Sequence, residues 1–264
     1  MEPTHFSFDL ISDLHVNDFE EFTWDGQPTS LYCVVAGDVA RDRQQLIDCL
    51  KHLAAKYHNV FYIDGNSEHR YYWDDMPRSY LELEQEIMMI PNITYLNNRV
   101  AISHGLAIVG INGWWTYDLD PNLDQDQSWQ FFLSQYQASE HTGSQLLECA
   151  YRDSVYLNAT IEKLQLHPEV KRILIVSHTV PSYELVRHDP ELVDTYKFNL
   201  LGNPELIECL HADKNKKITN WVFGHYHGRV DRAMENIRFC SNPKGRAEDT
   251  LNDPYFPLRI DIEL

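Results

Sequence analysis

The chain has 264 residues, 43% of them hydrophobic, enough to bury a full core in one large domain. Forty acidic against 22 basic residues give a formal charge of -18, and such a surface repels polyanions, which argues against extended DNA or RNA as the substrate. No apolar run approaches the roughly 20 residues that span a bilayer, the first residues lack a signal peptide's basic and apolar regions, and the five cysteines are scattered without a C-x-x-C pair; a cytoplasmic protein with no membrane partner is expected.

In chain order, residues 6–11 form a short β-branched and aromatic run that ends at Asp13-Leu14-His15. A second run, 31–35, leads to Gly37-Asp38, and behind it Leu46, Ile47, Leu50, Leu53, Ala54 and Tyr57 recur at helical spacing. A third run, 59–63, enters Gly65-Asn66, and Tyr80, Leu83, Ile87 and Ile90 mark a second helix. Residues 93–96, 99–103 and 106–111 read as three strands with no helix between them.

From 113 to 143 the chain then carries Trp114, Trp115, Tyr117, Trp129, Phe131, Phe132 and Tyr136 among aspartates. A connection of this length is functional or disordered, and its aromatic density disfavours disorder. It reads either as a lid over a site or as a helical excursion packed on the core. Leu157, Ile161 and Leu164 mark a third helix; residues 172–176 lead to Ser177-His178, 218–223 to Gly224-His225-Tyr226-His227, and 229–241 read as a hairpin. The connections 16–30 and 179–203 begin directly after polar motifs and are expected to shape a pocket.

All five polar motifs follow strands. In open α/β sheets ligands collect beyond the carboxyl ends of strands, so residues far apart in sequence can converge on one site. Oxygen and nitrogen donors without cysteine suit a hard or borderline metal. A carboxylate can bind two cations, and a neutral imidazole or amide oxygen ligates without adding charge. On a continuing strand His225 and His227 would share a face, whereas a tight turn after Gly224 would aim them at different metals; the spacing leaves both open. Other histidines, among them His52, His58, His104, His141 and His211, read as ordinary solvated side chains.

The ordered set D-x-H, G-D, G-N, H and G-H-x-H, running from Asp13 to His227, resembles the calcineurin-like metallophosphoesterase superfamily of phosphodiesterases, phosphatases, nucleases and dinucleotide hydrolases. Ser241-Asn242-Pro243-Lys244-Gly245-Arg246 is similar to the segment that closes many small bacterial members. The mixed order of elements fits two stacked sheets flanked by helices. The resemblance implies the same: an α/β protein, a four-layer α/β/β/α sandwich with two stacked mixed β-sheets, in a single domain over 1–264 with a lid or insertion at about 113–147.

It further implies that Asp13, His15, Asp38 and His227 hold one metal and that Asn66, His178 and His225 hold a second, with Asp38 bridging both. Two dications against two aspartates leave the bare centre at about +2, which attracts a phosphate. Mn, Fe, Zn or Ni suit these donors, and Mn²⁺ is expected to restore stripped protein. The implied reaction is phosphoester hydrolysis by a metal-bridging hydroxide without a covalent enzyme intermediate. Asn66 and His178 count with the catalytic residues.

One motif departs from the family, which often reads Gly-Asn-His-Asp/Glu where this chain has Gly65-Asn66-Ser67-Glu68-His69-Arg70. Ser67 is too weak an acid to protonate a leaving group. His69 has a suitable reference pKa near 6.5 and is the candidate replacement if the loop bends; Arg70 is a candidate to hold a phosphate oxygen. Otherwise both face solvent and metal-bound water supplies the proton. The expected substrate is a small soluble phosphodiester, with a phosphomonoester as the alternative and a non-catalytic binding module on the same fold behind both. The sequence sets no oligomeric state.

Overall fold

The computed structural model describes residues 5–19, 26–190, 195–249 and 255–264. In chain order the elements are β1 (His5–Ile11), β2 (Tyr32–Ala36), α1 (Arg43–Lys56), β3 (Asn59–Ile63), α2 (Met76–Ile87), β4 (Ile93–Tyr95), β5 (Arg99–Ser103) and β6 (Leu106–Ile111). There follow α3 (Gln125–Tyr136), α4 (Glu140–Leu166), β7 (Arg172–Ser177), β8 (Ile218–Phe223), β9 (Val230–Met234), β10 (Ile237–Ser241) and β11 (Leu258–Glu263). Each α-helix starts on a side-chain acceptor that takes a backbone N–H three residues on: Asp42, Asp75, Asp124 and Ser139.

One sheet has the order β11-β1-β2-β3-β4 and the other β5-β6-β7-β8-β10-β9. Strands β1 to β4 are parallel, as are β6, β7, β8 and β10, while β11, β5 and β9 close the edges antiparallel. The period-2 alternation of the strands sorts their side chains into layers. Phe8, Leu10, Val34, Ala36, Phe61, Ile63, Ile108, Leu174, Val176 and Val222 fill the space between the sheets. Cys33, Val35, Val60 and Tyr62 point the other way, onto Leu46, Leu50 and Leu53 of α1 and Leu83 of α2. On the far face, Val109, Ile173, Ile175 and Trp221 meet Leu157 and Ile161 of α4. This is the expected four-layer sandwich.

Two features of the order were not apparent in the sequence. Although β4 and β5 are separated by only three residues, they belong to different sheets, so the chain crosses the sandwich there. Strand β11 alternates buried and exposed along an edge, too polar a pattern to stand out, yet Ile260 and Ile262 are buried against β1.

The aromatic segment after β6 is a helical excursion rather than a lid. Trp114, Trp115, Tyr117 and Phe132 are all at most 2% exposed and pack with Trp73, Met76 and Leu146 as a second small core. Of the seven aromatics singled out there, Tyr136 is the one that lines the cleft described below.

Candidate metal centre

The parallel neighbours β1, β2 and β3 end side by side, as do β7 and β8 in the facing sheet, and the polar motifs leave these ends together. The chain must turn sharply to point side chains into the gap. Asp13, His15, Asp38, His225 and His227 all have φ between 43° and 67°, a left-handed conformation uncommon outside glycine, for which Asp and His are among the more tolerant residues. Backbone bonds hold the turns: Asp13 N–H donates to Gly37 O (2.9 Å), His15 N–H to Asp38 O (3.1 Å) and Gly224 N–H to His178 O (2.9 Å). Gly65 is required by close approach, since a Cβ there would lie 2.2 Å from Asp38 Oδ1.

Two groups of side chains converge. Asp13, His15, Asp38 and His227 form one and Asp38, His178 and His225 the other, with the donor atoms of each group within 4.8 Å of one another. His15 Nε2 faces His227 Nε2 at 2.9 Å and stands 3.6 Å from Asp38 Oδ2. Across Asp38, His178 Nε2 is 3.2 Å from Oδ1 and 3.1 Å from the Asn66 carboxamide oxygen. Asp38 thus belongs to both groups, and Asn66 adjoins the second. The positive φ of His225 (67°) and His227 (61°) breaks strand geometry and sends the two rings to different groups.

The arrangement fits two cations. Asp13 Oδ2 is buried and accepts no hydrogen bond from the described residues, a costly state for a carboxylate oxygen unless a cation lies against it. Two imidazole nitrogens at 2.9 Å can share only one proton, or both can face a metal. Burial lowers the pKa of His15 and of His225 to about 3, so both are neutral donors. Burial raises Asp13. It opposes ionisation of Asp38 too, but the neighbouring His178 outweighs it and holds Asp38 well below the carboxylate range; in return Asp38 overrides burial and lifts His178 to about 10.

On His178, His225 and His227 the second ring nitrogen also has a partner. His178 Nδ1 lies 2.9 Å from Ala36 O and His225 Nε2 2.9 Å from Leu200 O. A carbonyl only accepts, so each of those nitrogens carries a proton and the other faces its ligand group; on His178 a metal would take the place of the second proton. His227 Nδ1 meets Asp249 Oδ2 at 2.7 Å. The Trp115 ring stacks on His225, 5.6 Å between centroids and 10° from parallel.

Asp38 is clasped from the next loop. Ser67 donates its backbone N–H to Oδ1 and its hydroxyl to Oδ2, both at 2.8 Å. Buried Glu68 accepts the backbone N–H groups of Asp38 (3.2 Å), Val39 (2.6 Å) and Gly65 (2.8 Å), and burial together with Asp38 pushes its pKa up to about 7. Nothing in the sequence marks Ser67, Glu68 or Asp249 as partners of these residues beyond proximity to the motifs.

His69, the candidate proton donor, does not reach the site. The one-turn helix Ser67–His69 carries its ring inward, where it is 0% exposed. Nε2 is 2.9 Å from Asp64 Oδ2 and Nδ1 2.7 Å from Ser79 Oγ, while Tyr80 and Trp114 pack against the ring. Arg70 lies half-buried with its guanidinium 4.4 Å above Trp73 and 5.5 Å from the Tyr136 ring.

The two groups open into a cleft of about 410 Å³ whose walls include Tyr136, Lys197, Leu200, Leu201, Tyr226 and Arg246. Both long connections expected to shape the pocket are only partly described: 20–25 and 191–194 lie outside the described residues, whereas Asp189, Lys197, Leu200 and Leu201 from the second do line the cleft. Among the described residues no helix is long and apolar enough to cross a membrane.

Neither a protein-family model nor a curated protein sequence matches this chain. Solved structures do. The phosphopantetheinyl hydrolase (PptH) of Mycobacterium tuberculosis superposes with a TM-score of 0.70 over 97% of this chain and 95% of its own, at 16% identity. A Staphylococcus aureus chain assigned as a 5'-nucleotidase, solved in complex with alpha-ketoglutarate, gives a TM-score of 0.50 at 15% identity over 92% of this chain, which spans 49% of that one. The likeness is one of fold, the layered sandwich of two mixed β-sheets with helices.

Proposed function

We propose that this protein is a binuclear-metal-dependent phosphoesterase acting on a small phosphodiester. The observation that carries the proposal is the pair of ligand groups sharing Asp38 at one end of the sandwich. Asp13, His15, Asp38 and His227 would hold one ion, and Asp38, Asn66, His178 and His225 the other, with Mn, Fe, Zn or Ni suited to the donors. Bound there, two dications supply a nucleophile from water at neutral pH and neutralise charge on the phosphoryl oxygens.

The chain's own residues do the rest. Ser67 and Glu68 keep Asp38 aimed into the gap. Lys197 and Arg246 line the cleft and supply positive charge to a phosphate in a protein that is otherwise strongly acidic. The described cleft-lining residues include no histidine or cysteine beyond His225 and His227, and Ser67 already donates to Asp38. We assign leaving-group protonation to solvent, so esters with acidic leaving groups should react fastest.

The same Lys197 and Arg246 would also suit the dianion of a phosphomonoester, which keeps that class as the second reading. The test is turnover of the manganese-loaded protein on bis(p-nitrophenyl) phosphate, p-nitrophenyl phosphate, cyclic nucleotides, dinucleoside polyphosphates and phosphopantetheinyl compounds. Faster diester than monoester hydrolysis is expected. Metal binding without turnover on any of them would leave a non-catalytic binding module.

A further inference from the structure

We propose that Asp249 is a positioning residue for one metal site and not for the other, an inference that rests on the metal-centre reading above. Its carboxylate Oδ2 lies 2.7 Å from His227 Nδ1. An ionised carboxylate only accepts, so Nδ1 carries the proton. Nε2 is then presented as a lone pair to the four-residue group, where it stands 2.9 Å from His15 Nε2 and 3.7 Å from Asp13 Oδ1. A carboxylate behind a ligating imidazole fixes the ring and makes it a better donor.

Asp249 is itself held in a closed turn. Its Oδ2 accepts the Arg246 N–H at 2.7 Å, and its own N–H donates to Arg246 O at 3.0 Å. Gly245 makes the turn fit, because its φ is +83° and a Cβ there would lie 2.7 Å from Asp249 Cβ. The segment is tied to the end of β1: Lys244 N–H donates to Ser12 O (3.0 Å) and Gly245 N–H to Asp13 O (2.8 Å). The stretch from Lys244 to Asp249 therefore touches Asp13 through main chain and His227 through a side chain. Both belong to the same group of ligands, and none of these bonds reaches Asn66, His178 or His225.

The test is a titration of chelator-stripped full-length protein with Mn²⁺, followed by calorimetry for affinity and by elemental analysis for stoichiometry. Asp249→Ala should weaken one of two sites by about 10- to 100-fold and leave the other within about twofold. Asp249→Asn keeps an acceptor for Arg246 N–H and for His227 but loses the charge, so it guards against a folding defect and should weaken the same site by a smaller factor, about three- to tenfold. Equal weakening of both sites, or unchanged affinity in Asp249→Asn, overturns the assignment. A wild-type protein that takes up no Mn²⁺ overturns the metal reading itself, before any variant is made.

Discussion

Asp38 and His69 mark the two ways in which a polar residue next to a strand end can be used. Asp38 is shared by both ligand groups, with one oxygen near His178 and the other near His15. Asp38→Asn should therefore lower the metal content of both sites, whereas His227→Ala should deplete mainly one; equal, independent losses in the two variants, read by elemental analysis, would contradict the assignment. His69 is a hydrogen-bonding member of the interior. Its ring spans Asp64 and Ser79, and Asp64 also accepts from Tyr95 (2.6 Å) and Asn112 (2.8 Å). Removing the ring leaves a fully buried carboxylate short of a partner, so His69→Ala should destabilise the fold by about 3 kcal/mol or more in a denaturant titration. Turnover of the folded variant should fall by the same factor on good and poor leaving groups. A selective loss on the poor leaving group would return His69 to the chemistry. The D-x-H, G-D and G-H-x-H spacings made the converging donors legible because donor type is a property of the residue itself. The role of His69 was not legible, because the turn Ser67–His69 decides which way the ring points.

At the scale of elements, loops after strands do the positioning, and their glycines are tests of it. A methyl group at Gly65 would come within 2.2 Å of Asp38 Oδ1 and 2.7 Å of His178 Cε1. Gly65→Ala should therefore cost metal affinity more than it costs secondary structure: circular dichroism close to wild type with Mn²⁺ affinity down by about tenfold or more. Unchanged affinity would mean that the loops adjust more freely than their hydrogen bonds suggest. Apart from β11, the strands were readable from short apolar runs, and α1, α2 and α4 from recurrences three and four residues apart. The aromatic segment was ambiguous for a physical reason. Trp and Tyr are equally at home in a core and over a ligand; here Trp114, Trp115, Tyr117 and Phe132 are buried together, and Gly143 leaves room for Trp129 to pack 2.8 Å from where a Cβ would be.

Across the whole molecule, the candidate metal centre is also a seam between the two sheets. Asp13 and Asp38 come from one sheet and His178, His225 and His227 from the other; His178 Nδ1 bonds to Ala36 O, and His225 N–H donates to Asp13 Oδ1 at 2.9 Å. Ions bound there stabilise the folded state by mass action, about 2.7 kcal/mol per site at a free concentration 100 times Kd. Saturation of one site with Mn²⁺ should then raise Tm by roughly 5–10 °C over the chelated protein; identical melting curves with Mn²⁺ and with chelator would separate the seam from stability. By itself the sequence determined the types and order of the donors, the strands that carry them and the layered class of the fold, because each of these follows from side-chain chemistry or from local periodicity. Only the tertiary structure decided that β4 and β5 part to different sheets, that β11 seals the edge beside β1, and that Ser67, Glu68 and Asp249 serve the ligands. Those relations join residues up to some 250 positions apart, and what selects them is the packing of two sheets face to face, a constraint that no short window of sequence contains.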